Sequence, residues 1–336
     1  MTSSEPQIHV VVPCYRARRH IIEVLAAVPA SVASIHVVDD GCPEQTGLHV
    51  QASCSDPRVR VHFNDRNLGV GGAVLRGYAE ALADGADVIV KIDGDGQMDP
   101  SLIPSFVAPI LRGEADYTKG NRFFDLANIG QMPALRIAGN AGLSFMAKLS
   151  TGYWDIFDPT NGYTAIHADV AQRLPVAKIS RRYFFESDLL FRLNTLRAVV
   201  IDIPMDARYG DEVSNLKVNR VLFDFAYKHT RNFFKRIFYN FFLRDMSLAS
   251  LELVAGSVLM ACGLAYGAIS WFQSAQTGNS TPAGTVMLAA LPTLIGLQFI
   301  LAFFSFDIAS VPRRPLHHRL SPSNRERIGR APGPRG

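Results

Sequence analysis

Two uninterrupted apolar stretches constrain this chain more than anything else in it. Residues 248–272 carry one charge, Glu252 near the start, and residues 282–306 carry none. A helix crosses a bilayer with about 20 apolar residues, so each stretch is long enough to span. Core helices of soluble domains are usually shorter and amphipathic, which disfavours a buried helical pair. The connector 273–281 is uncharged, whereas basic residues crowd the outer ends. From Lys217 to Arg244 there are seven Lys or Arg against Asp224 alone. From Pro312 to the C-terminus there are seven Arg against Glu326 alone. With a net charge of +4 overall, those two blocks of +6 leave the rest of the chain at −8. The positive-inside rule then keeps both ends of the hairpin in the cytoplasm. The N-terminal MTSSEPQ lacks a basic-then-apolar pattern, so no signal peptide is expected. These readings predict a multi-pass protein of the inner membrane with its large N-terminal part in the cytoplasm. Gly263 and Gly267 form a GxxxG in the first span, which suits either packing within the hairpin or homo-oligomerisation.

Upstream, the 218–243 stretch interleaves aromatics such as Phe223, Tyr227, Phe234 and Phe238 with Arg220, Lys228, Arg231, Lys235 and Arg236. Mixed at helical spacing beside a span, these residues fit a helix in the headgroup layer. A nucleic-acid stripe is the lesser reading, and no nucleic-acid partner is expected. The four cysteines include no CxxC pair, which argues against a zinc knuckle or a redox motif.

The first half alternates strand and helix signals. Apolar runs at 8–13, 35–38, 59–63 and 88–92 read as strands, and 67–83 has the small-residue spacing of a helix packed on a sheet. This pattern implies an α/β domain with a parallel sheet covered on both faces. Ligands in such sheets bind beyond the carboxyl ends of the strands. Pro13-Cys14-Tyr15, Asp39-Asp40-Gly41 and Asp93-Gly94-Asp95 all fall there. Asp93 and Asp95, two residues apart on a Gly-flanked turn, can converge on a hard cation shared with a diphosphate. A carboxylate at Asp39 or Asp40 can accept from a ribose or a base edge, or can serve as a turn cap. The Gly-rich helix start at 67–72 can offer amides to a phosphate, yet fits neither GxGxxG nor GxxxxGK[ST].

VVPCYR, VVDDG, NLGVGGAVLRGY and KIDGDGQMDP, in this order and spacing, resemble the nucleotide-sugar half of family 2 glycosyltransferases. The DGDGQ-x-DP form is similar to that of dolichol-phosphate mannose synthases and bacterial polyprenyl-phosphate glycosyltransferases. The resemblance covers about residues 8–216. It implies a Rossmann-like GT-A domain, a nucleotide-sugar donor (UDP- or GDP-hexose), Mg²⁺ or Mn²⁺, inversion at the anomeric carbon and a polyprenyl phosphate acceptor. The resulting organisation is a GT-A domain over 1–216, amphipathic juxtamembrane helices over 217–246, two transmembrane helices over 247–311 and a basic tail over 312–336.

By position, the resemblance gives Pro13, Tyr15, Asp39, Asp40, Asn67, Asp93, Asp95 and Arg208 to the nucleotide, and Asp95 with Gln97 to the metal. Gly120-Asn121-Arg122-Phe123 resembles the family's G-S-R-Y. Arg122, Arg136 and Asn140 stand where relatives bind the lipid phosphate, and Arg136 and Asn140 share a helix face at i, i+4. Asp158, in the segment DPTNGY, is the candidate base or orienting carboxylate. Two features depart from the pattern: Arg16 and Arg18 replace a usual acid, and Asn215 replaces a usual Lys, with Lys217 nearby. A hydroxyl acceptor on a lipid-linked glycan is the alternative. It would require a general base, for which Glu186 and Asp188 are the candidates.

Overall fold

The computed structural model describes residues 5–124, 134–206 and 218–320, apart from the side chains of 134–138, 140 and 218–222. Four parallel strands arise from the apolar runs: β1 (Ile8–Cys14), β2 (Ser34–Asp39), β3 (Val59–Phe63) and β4 (Val88–Lys91). Val10, Val11 and Val12 of β1 are all fully buried, as expected of a strand covered on both faces. Three further strands complete the sheet: β5 (Tyr117–Asn121), β6 (Thr164–His167) and β7 (Val200–Pro204). The order is β3-β2-β1-β4-β6-β5-β7. β6 runs antiparallel to both β4 and β5, so the sheet is mixed rather than wholly parallel. Its polar and short segments, TAIH and YTKGN, carry no strand signal of the kind that reveals β1 to β4.

Helices α1 (Ile21–Ala26), α2 (Thr46–Ser53), α3 (Val70–Ala83), α4 (Ile103–Leu111), α5 (Ala134–Thr151), α6 (Ala168–Ala171) and α7 (Phe185–Leu196) accompany this sheet. The apolar cluster between sheet and helices includes Val10, Ile21, Leu25, Ile35, Val90, Ile103, Phe106 and Tyr163.

After Val218 the chain is helical. α8 (Val218–Phe238) runs into a π-helical turn at Tyr239–Arg244, followed by α9 (Leu248–Thr277), α10 (Ala283–Ala309) and α11 (His317–Leu320). The described residues form two compact units. One runs up to Phe233 and is rejoined from Pro312; the other spans Phe234–Val311. The division between these units falls inside α8. The start of the basic tail is also folded: Leu316 N, His317 N and His317 Nδ1 reach the buried Asp116 carboxylate at 2.7, 2.9 and 2.7 Å.

In the second unit, α9 and α10 are long and apolar enough to cross a membrane, with mean hydropathies of 1.8 and 2.2. They turn Val258, Leu264, Trp271, Leu288 and Leu294 outward instead of burying them, which is not how a pair of core helices behaves. Small residues bring the helices together. A Cβ at Gly256 would stand 2.9 Å from the Gly296 carbonyl oxygen, and one at Gly263 would stand 2.8 Å from Ala289 O. Gly263 is thus used within the hairpin.

Arg236 corrects one expectation. Its spacing suits the headgroup layer, yet it is 1% exposed and makes a bidentate pair with Asp307 at 2.5 and 2.9 Å. An aspartate ending an apolar helix demands a partner, and Arg236 supplies it.

Candidate active site

β1, β2 and β4 end on one rim, and a cavity of about 800 Å³ opens there. Pro13, Tyr15, Asp40, Asn67, Asp93 and Asp95 line it. Arg16, Arg182 and Tyr183 also line it and bring cationic and aromatic surface. Arg16 sits at φ 61°, with its amide donating to Cys42 Sγ at 3.1 Å and its guanidinium 5.5 Å from the Tyr15 ring centroid.

The adjacent carboxylates at the end of β2 go different ways, Asp39 as the last residue of the strand and Asp40 just beyond it. Asp39 is buried and is not among the lining residues. It accepts from Cys42 N at 2.7 Å and Gly47 N at 2.6 Å, fixing the turn into α2. Asp40 reaches the cavity wall while accepting from Asn64 Nδ2, Leu68 N and Gly69 N at 2.8–2.9 Å. It therefore braces the loop that carries Asn67. Gly69 holds φ +85° there, and a Cβ would stand 2.9 Å from Arg182 Cγ, so only glycine fits this turn without strain.

Asp93 and Asp95 occupy the turn after β4. Asp93 Oδ1 is paired with Lys91 Nζ at 2.7 Å, and Asp95 Oδ1 accepts from Gln97 N at 2.9 Å. Two carboxylates on one short turn at the cavity wall, with an amide side chain two residues on, form an all-oxygen donor set. That set fits a hard divalent ion. Gln97 itself is not among the lining residues.

Behind this turn lies a buried charged tract. Lys91 and Lys119 are 2% and 0% exposed. Lys119 Nζ donates to the Asn161 carbonyl, and burial pulls its pKa down to about 8. Gly162 lets this tract close up, since a Cβ would fall 2.9 Å from Asp93 Oδ2. Asp158, 1% exposed, accepts from Arg122 Nε at 2.8 Å and Arg122 Nη2 at 3.1 Å. Burial pushes the Asp158 carboxyl up, but the Arg122 hydrogen bonds and charge, with Lys119, outweigh it and hold it below the usual carboxylate range. The geometry thus joins Arg122 to Asp158 through two side-chain hydrogen bonds.

Glu186 and Asp188 have different surroundings. Asp188 is engaged by Ser180 N at 2.8 Å and Asn232 Nδ2 at 2.9 Å, a structural tie. Glu186 faces the tract: burial raises its carboxyl, Lys91 and Lys119 oppose that rise, and Asp93 adds to it. Asp202 on β7 escaped the sequence reading. Its Oδ2 accepts from Phe157 N at 2.9 Å and Asn121 Nδ2 at 3.1 Å, while its buried Oδ1 has no hydrogen-bond partner among the described residues. Burial lifts its pKa to about 6. A lone acid in the apolar strand VIDIP was the available signal. Arg208 and its loop lie outside the described residues. Arg136 and Asn140 lie on α5, but their side chains lie outside the description.

The family model for glycosyl transferase family 2 matches residues 9–174, which contain the ends of β1, β2 and β4. An undecaprenyl-phosphate mannosyltransferase from Micrococcus luteus is 30% identical over 181 residues, 53% of this chain and 72% of the relative. A UDP-N-acetylglucosamine–dolichyl-phosphate N-acetylglucosaminyltransferase from Methanococcus voltae is 26% identical over 218 residues, 61% of this chain and 86% of the relative. Among solved structures, the glucosyl-3-phosphoglycerate synthase of Mycobacterium tuberculosis with Mg²⁺ and UDP superposes with a TM-score of 0.52 at 20% identity. That match covers 69% of this chain and 79% of the other. The motifs at three converging strand ends, the fold that unites them and a relative of this identity and coverage lead to one conclusion: the chain belongs to glycosyltransferase family 2.

Proposed function

We propose that this glycosyltransferase moves one sugar from a nucleoside diphosphate to a polyprenyl phosphate at the cytoplasmic face of a membrane, with inversion at the anomeric carbon. The observation that carries this reading is the Arg122–Asp158 pair. A guanidinium fixed by a buried carboxylate stands beside the tract that ends in Asp93 and Asp95. A phosphate monoester has a second pKa of roughly 6 and is mostly dianionic at neutral pH. Its oxygen needs cationic alignment more than deprotonation, and a pre-oriented Arg is suited to that. The phosphate oxygen attacks the anomeric carbon as the bond to the donor diphosphate breaks, and the nucleoside diphosphate leaves with the electron pair. Asp93, Asp95 and Gln97 would hold Mg²⁺ or Mn²⁺, which when bound neutralises charge on the departing diphosphate. Arg16 and Arg182 add positive charge to the donor cavity, while Tyr15 offers a ring face to the nucleoside. Arg136, Asn140 and Arg208 are assigned to the two phosphate groups by position in the motif pattern.

The two apolar helices support a lipid acceptor. Extracting a polyprenyl chain exposes apolar area at about 25 cal/mol per Å², so the enzyme has to work at the headgroup plane. Relatives in this family are named for transfer to dolichyl and undecaprenyl phosphates, and they differ in sugar.

Glu186 favours a second reading. A carboxyl raised by burial beside Asp93 is what a hydroxyl acceptor would require of its base. The deciding experiment incubates the full chain in detergent with a panel of labelled nucleotide sugars and polyprenyl phosphate, with and without Mn²⁺ or Mg²⁺. Divalent-dependent labelled lipid in the wild type and in Glu186→Gln, lost in Arg122→Ala, supports the phosphate acceptor. Loss in Glu186→Gln with Arg122→Ala unaffected overturns it in favour of the hydroxyl acceptor.

A further inference from the structure

Three histidines share the face of the sheet on which Asp84 and Glu80 of the α3 region also lie: His9 on β1, His36 on β2 and His62 on β3. Strand register explains the arrangement. His36 pairs with Val11 and Arg60, so His9 and His62 each stand two residues along the neighbouring strand, on the same face. The rings stack at centroid distances of 5.3 and 5.4 Å. His9 Nδ1 lies 3.2 Å from His36 Nε2. Asp84 Oδ2, at the C-terminal end of α3, lies 3.9 Å from the first nitrogen and 3.7 Å from the second. His9 and His36 are 2% and 1% exposed, and the Asp84 side chain is 23% exposed.

Of that triangle only the His9–His36 edge is of hydrogen-bond length. A carboxylate that accepted from either imidazole would close to about 2.7–2.9 Å, and 3.7 Å is no hydrogen bond. Arg60 Nη1 grips the other Asp84 oxygen at 2.5 Å, Ser34 also hydrogen-bonds this carboxylate, and Oδ2 stands nearest the two rings. The circle through three atoms at these separations has a radius of about 2.1 Å, so an ion equidistant from them and slightly off their plane lies about 2.1–2.2 Å from each, close to Zn–N and Zn–O bonds. The next layer fits as well. His36 Nδ1 is 3.1 Å from His62 Nε2. A metal-bound imidazole ordinarily passes its other N–H to such a partner, which fixes its tautomer.

We infer that His9, His36 and Asp84 form a binding site for a zinc-class transition-metal ion, distinct from the Asp93–Asp95 turn, with water completing a tetrahedron on the partly exposed Asp84 side. Two imidazoles and one carboxylate select Zn²⁺ or its congeners over Mg²⁺. His9 precedes the rim residue Cys14 by five positions, about 16 Å along the strand, so this ion takes no part in transfer. It staples the β1–β2 pair to the end of α3.

The test is a Co²⁺ titration of the metal-stripped full chain in detergent, read by absorption, with Zn²⁺ as competitor. The expected result is one Co²⁺ with the intense visible bands of a tetrahedral site, displaced by Zn²⁺. Asp84→Asn should abolish those bands, and the outer His62→Phe should weaken affinity by about 10- to 100-fold. Asp93→Asn combined with Asp95→Asn should leave them intact. Zn²⁺ should raise the thermal midpoint of the wild type but not that of Asp84→Asn. Absence of tetrahedral bands in the wild type overturns the inference without recourse to any variant. So do bands that survive Asp84→Asn or vanish with the Asp93/Asp95 variant.

Discussion

The Arg122–Asp158 unit makes a prediction that can be sized. Asp158 is 1% exposed and takes two side-chain hydrogen bonds from Arg122, at 2.8 and 3.1 Å. Asp158→Asn keeps the shape but removes the charge and turns an NH₂ toward the guanidinium. A hydrogen bond to a charged group contributes about 1.5–3 kcal/mol net. The Arg122 side chain is 35% exposed, so solvent screening rules out the larger penalties of a fully buried pair. If Arg122 aligns the acceptor phosphate in the transition state, that loss lowers kcat/KM by about 10- to 150-fold. The assay is a double-mutant cycle of Arg122→Ala, Asp158→Asn and their combination, with kcat/KM measured for the lipid acceptor and folding checked by circular dichroism. Two residues acting as one device should give a double variant little worse than Arg122→Ala. The acidic limb of the pH–rate profile should stay where it is in Asp158→Asn, because a carboxyl held below the usual range is already ionised and is a poor base near neutrality. Strictly additive losses, or a wild-type rate in Asp158→Asn, refute the reasoning.

Asp202 and Arg236 give two stability predictions. Burial lifts Asp202 to about 6 in the folded state, so the unfolded chain releases this proton first and stability falls as pH rises from about 4 to 6. Asp202→Asn keeps an acceptor for Phe157 N and removes that slope, for a gain of up to about 3 kcal/mol at pH 7 and almost none at pH 4. Thermal unfolding at the two pH values measures it, and an equal effect at both would refute it. Asp307→Leu strands a buried guanidinium and should destabilise the hairpin unit by about 3–5 kcal/mol, whereas Arg236→Met combined with Asp307→Leu should recover most of the loss. Unfolding of the full chain in detergent reads both, and a double variant no better than the single one would show that the pair is not what holds these residues.

Legibility in the sequence followed the range over which each contact acts. β1 to β4 are readable because a strand buried on both faces must be a continuous apolar run, and a run that stops at Asp or Pro marks its own end. β5 is not readable. YTKGN becomes a buried strand because the Asn161 carbonyl receives Lys119 and Asp202 receives Asn121, partners 42 and 81 residues away. The rim residues follow the same division. Asp93 and Asp95 are legible because a short-range motif, two acids on a glycine turn, carries them. Asp39 and Asp40 are adjacent and chemically identical, and only their partners, Cys42 N and Gly47 N for Asp39 and Asn64, Leu68 N and Gly69 N for Asp40, separate the turn cap from the residue at the cavity wall.

Charged residues within apolar surroundings were the hardest to place, and they share one physical cause. A buried charge is tolerable only with a partner, and the partner is chosen by the fold rather than by spacing. Arg236 has the helical spacing of a headgroup residue, yet Asp307, 71 residues on, takes it out of solvent. Glu186 and Asp188 stand two apart on α7 with equal standing as candidate bases. Asn232, 44 residues away, claims Asp188 and leaves Glu186 facing Lys91, Lys119 and Asp93. The three histidines show the same logic at the level of a whole cluster. IHV recurs in β1 and β2, a pattern that reads as ordinary strand. Only the parallel register, offset by two residues at each step, turns scattered imidazoles into a row that ends at a carboxylate. Where side chains like these gather in a hydrophobic sheet, the energetic demand for a partner is itself the signal of chemistry.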